Sequence, residues 1–126
     1  MIWCDRNLIQ SPLYVALCLS EKKYLKEVKR MGIKNPPPWI KTAHADATAN
    51  FFTRDGKESV IVCLRNHENH TGVEVAALLV HEAVHIWQAV RDIIGETSPS
   101  SEFEAYSVQQ ISLELMWAYE EMTAKK

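Results

Sequence analysis

His81 and His85 stand four residues apart with Glu82 beside the first of them, in the segment HEAVH. On a helix, residues four apart share one face and lie about one turn from each other. Two imidazoles at that spacing can hold one Zn2+ ion. Glu82 would project just beside the pair. A carboxylate there can take a proton from a zinc-activated water, which makes it a candidate general base. The pattern H-E-x-x-H carries this chemistry only if a helix lies under it.

The surrounding segment, VEVAALLVHEAVHIWQAV, meets that condition. Val75, Ala76, Leu78, Leu79, Val80, Ala83, Val84, Ile86, Trp87 and Val90 make it apolar on nearly every side. A helix apolar all round is expected to be buried. Three titratable groups within two buried turns must find partners, because an unpaired buried imidazole or carboxylate is costly. A structural hydrogen-bonded cluster would satisfy them, and a metal site would satisfy all three at once.

The remaining elements are read around this helix. Ser11-Pro12 offers a cap followed by proline at a first helical position. Leu13, Leu17, Tyr24, Leu25, Val28 and Met31 recur after it, and Gly32 is a stop signal, so an amphipathic helix over 12–31 is predicted. NPPPW, from Asn35 to Trp39, reads as a stiff extended connector. HADATANFFT and Ser59–Arg65 (SVIVCLR) are strand candidates, joined through Arg54-Asp55-Gly56-Lys57 as a β-hairpin. The apolar run of SVIVCLR suggests a central strand, which leaves HADATANFF at the sheet edge.

Thr71 and Glu74 form a capping-box signature, so the HEAVH helix should run from about Gly72 to Ile94 and stop at Gly95. After the turn ETSPSS, a last helix is predicted from near Pro99, with Ser98 as its cap. The fold expected is α+β: an N-terminal helix, a small antiparallel sheet with a β-hairpin, and two antiparallel C-terminal helices carrying a zinc site.

With 126 residues the chain is expected to be one domain, 1–126. At 47% apolar and 24% charged it can build an ordinary core. A net charge of −2 gives no footprint for nucleic acid or an anionic membrane, so neither partner is expected. Cys4, Cys18 and Cys63 make an odd count without C-x-x-C spacing, which fits a reduced, cytoplasmic protein. PLYVALCL is too short to span a membrane, and no signal peptide is read. The oligomeric state is not readable from the chain.

A catalytic zinc needs a third protein ligand and an open position. Glu102 and Glu104 are the candidates, in SSEFEAYSVQ at the start of the last helix. They lie two residues apart and so face about 200° from each other, and only one can point at a metal. Ser101 and Glu104 could form a capping box, which would give Glu104 a structural task.

HEAVH followed closely by E-F-E-A-Y resembles the glutamate-type zinc metallopeptidases, the gluzincins. It is similar in particular to minimal single-domain versions among phage and prophage proteins. The likeness covers roughly residues 40 to 115 and implies a zincin-like domain. It implies His81, His85 and Glu102 as zinc ligands, Glu82 as the base and Ala105 as a small residue for close helix packing. Where related patterns carry Asp or Asn after the alanine, this chain has Tyr106, a candidate donor to a ligand or to an oxyanion and equally a packing residue. His67 and His70 are further loop candidates for that donor, although most loop histidines are simply solvated.

The function expected is zinc-dependent hydrolysis of a peptide or protein substrate, with an extended substrate pairing along the edge strand. The alternative is a zinc-containing peptide-binding or regulatory protein that does not cleave. Trp3, Trp39, Trp87 and Trp117 could then furnish an interface, although core packing is their commoner use.

Overall fold

A computed structural model describes Met1, Trp3 and residues 11–124. Cys4 lies outside these residues. The elements run β1 (Leu13–Cys18), α1 (Glu21–Arg30), β2 (Ala47–Arg54), β3 (Lys57–Leu64), a single 3₁₀ turn (His67–Asn69), α2 (Gly72–Ile93) and α3 (Ser101–Thr123).

The hairpin forms where Asp55-Gly56 placed it. Both residues have positive φ, 51° and 74°, as a two-residue turn matched to strand twist requires. β2 and β3 pair antiparallel from Arg54 opposite Lys57 to Ala47 opposite Leu64. β3 is the centre of a three-stranded sheet in the order β1-β3-β2, and β2 is an edge, both as read. Val60, Val62 and Leu64 face α2 and α3, whereas Ile61 and Cys63 face α1. Burial on both sides explains the unbroken apolar run, since each fully buried Val, Leu or Ile side chain contributes about 1.5–3 kcal/mol.

The N-terminal reading needs correction. Residues 12–31 are not one helix: Leu13–Cys18 is a strand and only Glu21–Arg30 is helical. β1 runs parallel to β3, from Leu13 beside Glu58 to Cys18 beside Cys63, so the sheet is mixed and not wholly antiparallel. Leu13 and Leu17 pack toward α2 and α3, and Cys18 packs toward α1. The same leucines that mimic a helical stripe thus serve a period of two. The helix cap is Ser20, whose hydroxyl accepts from Lys23 N at 3.4 Å, while Ser11 accepts from Leu13 N at 3.2 Å. Gly32, at φ 79°, follows the helix end as expected.

The proline connector lies against the α1 face. Tyr24 Oη donates to Pro37 O at 2.7 Å, and the buried Asn50 Nδ2 donates to Pro38 O at 3.2 Å.

α2 begins in the expected capping box. Thr71 Oγ1 accepts from Glu74 N at 3.2 Å, and Glu74 Oε1 accepts from Thr71 N at 2.8 Å. Thr71→Ala should therefore destabilise the fold by about 1 kcal/mol, read as a lower urea midpoint at unchanged slope. An unaltered midpoint would show that packing alone fixes this helix start.

α2 is not buried all round. Val75, Leu79, Ala83, Ile86 and Val90 are buried, but Val73, Val80 and Val84 are exposed. By length and composition alone α2 could cross a membrane; here its inner side packs on the sheet and α3. α3 starts later than predicted, at Ser101, with Ser100 as cap accepting from Phe103 N at 3.2 Å. Position N3 is therefore Phe103, and the expected Ser101–Glu104 capping box does not form.

Candidate metal centre

His81 and His85 share one exposed face of α2, and their Nε2 atoms converge to 3.2 Å. Two nitrogens bound at about 2.0–2.1 Å to a tetrahedral zinc lie roughly 3.3 Å apart. The pair therefore has the spacing of two zinc ligands. His85 Nδ1 faces Gln88 Oε1 at 3.3 Å, one further turn along. An amide oxygen there accepts a hydrogen bond from Nδ1–H, which leaves the Nε2 lone pair for a metal. Gln88 was not singled out from the sequence, although its i+3 spacing from His85 was the available signal.

Glu82 lies beside the pair and is buried. Burial pushes its carboxyl above the usual range, with His81, His85, Lys41 and a hydrogen bond from the Ala49 backbone acting the other way. Ala49 belongs to the edge strand β2. It pairs with Val62 of β3 on one side, while its carbonyl accepts from Lys41 Nζ at 3.4 Å. The helix carrying the histidines is thus laid along the outermost strand, with the carboxylate between them.

His81 and Glu82 open into a cleft of about 510 Å³, also lined by His44, Asp46, His70 and Glu74. Across it, His70 Nε2 and Asp46 Oδ2 are 2.7 Å apart, and His70 Nδ1 is 4.0 Å from Glu74 Oε1. The His70 contact, then Asn66 and Arg65, holds the Asp46 carboxyl below the ordinary carboxylate range. A depressed folded pKa adds stability above the unfolded value of about 4 and loses it as pH falls through the folded value. Asp46→Asn should therefore lower stability at neutral pH and flatten the acid limb of the stability curve. Urea titrations between pH 2 and pH 7 would check this; parallel curves for both proteins would contradict the pairing.

Asp46 and His70 are 24 residues apart, and no sequence spacing linked them. His67 serves elsewhere: its Nδ1 lies 3.2 Å from Tyr119 Oη, tying the 3₁₀ turn to α3.

The α3 residues are placed differently from the expectation. Trp87 Nε1 donates to Glu104 Oε2 at 2.9 Å, and the Trp87 and Phe103 rings pack with centroids 5.4 Å apart. These contacts turn Glu104 toward α2 and leave Glu102, about 200° away, on the exposed side. Tyr106 is 65% exposed. The structure brings neither Glu102 nor Tyr106 to the histidine pair. Among the described residues no group of three or more His, Cys, Asp or Glu side chains is gathered as a metal cage. The spacing of the two imidazole nitrogens fits two ligands of a zinc ion, with the Glu82 carboxyl beside them.

No protein-family model, curated protein or solved structure matches this chain.

Proposed function

We propose that the chain is a zinc-dependent hydrolase acting on peptides or proteins. The observation that carries this reading is the convergence of two imidazole nitrogens to 3.2 Å beside the buried Glu82 carboxyl. His81 and His85 would hold the ion, with Gln88 orienting His85. Zinc supplies a more acidic water and polarisation of the scissile carbonyl. Glu82 accepts the water's proton and delivers it to the leaving amine. Its raised affinity for a proton suits both halves of that task. The cleft leading from His81 to the His70–Asp46 pair gives a substrate room, and the outer side of β2 offers an extended backbone somewhere to pair.

In this reading the third ligand is Glu102, as the gluzincin likeness implies, and it must turn inward from the exposed position described above. Two variants test it. Glu102→Gln should weaken zinc binding at least tenfold in a chelator competition, while Glu104→Gln changes it little. The reverse pattern would assign the ligand to Glu104.

A second reading, a zinc-binding protein that does not cleave, draws on a specific observation: the pair is exposed, and no group of three or more His, Cys, Asp or Glu is gathered to hold a metal among the described residues. Unchanged affinity in both glutamate variants would favour it over the hydrolase.

A further inference from the structure

β2 is an edge of the sheet, and charged side chains reach its outer side, where a neighbouring strand would lie. In an antiparallel strand the N–H and C=O of one residue point to the same side, and every second residue repeats that direction. Ala49 points outward. Its carbonyl accepts from Lys41 Nζ at 3.4 Å, and its N–H faces the Glu82 carboxylate. A strand alongside β2 would set an N–H on that carbonyl and a C=O on that N–H. Lys41 and Glu82 thus imitate one residue of such a strand.

The imitation identifies the occupant this edge fits, an extended main chain. Ala47, the next outward residue, lines the cleft beside His81 and Glu82. Ala45 and Ala77 line it too, and these small side chains leave room for a main chain.

The cations along this edge are held unequally. Arg65 Nη2 donates to Ala45 O and, at 3.1 Å, to Ala43 O, and Arg65 Nε lies 3.5 Å from Asp46 Oδ1. Arg65 is a fixed cap. Lys41 is exposed, and among the described residues its ammonium has the one hydrogen bond to Ala49 and no ion pair. Its backbone is anchored, with Lys41 N donating to Thr48 Oγ1 at 3.2 Å, so a flexible side chain swings from a fixed base.

We propose that Lys41 is a displaceable latch on the edge strand. A substrate's extended backbone takes the place of Lys41 and Glu82 on Ala49, so that docking releases the base toward the histidine pair. The proposal rests on the reading of Glu82 as the base. It makes Lys41 a positioning residue that takes no part in proton transfer.

NMR titration of the full isotope-labelled chain, with EDTA present, provides the test. The probe is a blocked, uncharged tetrapeptide of alternating valine and threonine, added from about 0.1 to 10 mM. The Ala47 and Ala49 amides and the Glu82 side-chain carboxyl carbon should shift together, with one dissociation constant. Lys41→Met should bind about three- to tenfold more tightly, the worth of one hydrogen bond that need no longer be broken. Lys41→Arg keeps a donor and should bind as the parent does. Both variants should melt within about 2 °C of the parent, as exposed substitutions do. Shifts that spare Ala49, a Glu82 carbon that stays still while Ala49 moves, or equal affinity in parent and Lys41→Met would each overturn the proposal. A Lys41→Met chain that melts lower and binds no more tightly would make the contact structural. Because no zinc is present, loss of the zinc reading would leave these shifts unchanged, and loss of the shifts would leave the zinc reading unchanged.

Discussion

Glu82→Gln is expected to bind zinc as the parent chain does and to lose hydrolysis by about 10²–10⁴-fold, the usual contribution of a positioned general base. The variant isolates proton transfer because Glu82 is not asked to hold the ion. Its side chain is buried in the cleft that His81 also lines, beside the Ala49 backbone of the edge strand. Glutamine has the same shape and carries no charge to desolvate, so the variant should stay folded. Zinc-loaded parent and variant would each be incubated with an unfolded polypeptide, and fragments compared by mass spectrometry. Fragments made by the parent alone support the assignment. Identical fragments from both would show a contaminating protease, and no cleavage by either, with zinc bound in both, would move the protein to the non-cleaving reading.

The second large effect concerns the metal itself. Zinc at a hundred times its dissociation constant stabilises a folded protein that binds it by about 2.7 kcal/mol. For a chain of this size that is a rise in melting temperature of roughly 10 °C. The His81→Ala, His85→Ala double variant should show none of it. Both histidines are exposed, so their removal should leave the metal-free melting temperature nearly unchanged. Loss of fold without zinc would mean that the pair is structural. Retention of the zinc-induced rise would place the binding site elsewhere.

The parts of the fold legible in the sequence were those set by local chemistry. Asp55-Gly56 can hardly be other than a tight hairpin turn, and Thr71 with Glu74 sets the start of α2 within one residue. β1 was not legible because its strand character comes from pairing with β3, more than forty residues away. Locally, Leu13, Leu17 and the residues of α1 fall close enough to a helical period to merge into one element. Ser20 was the missed signal, a capping residue directly before Glu21.

The site divides in the same way. The spacing of His81, Glu82 and His85 is a helical property, and it places the two nitrogens together. Which sides of an all-apolar helix are covered depends on its neighbours. The sequence accordingly suggested that the pair was buried, whereas it is exposed. The rotation of α3 was illegible for the same reason. It is set by the Trp87 contacts with Phe103 and Glu104, which bring the second glutamate and not the first against α2.

Elemental analysis of the chain, purified without a metal-affinity tag, exposed to zinc and then desalted, tests the central claim most directly. The account predicts about one zinc per chain, as a single tetrahedral site requires, falling to none in the His81→Ala, His85→Ala variant. Zinc-free parent chain, or equal zinc in parent and variant, would contradict it.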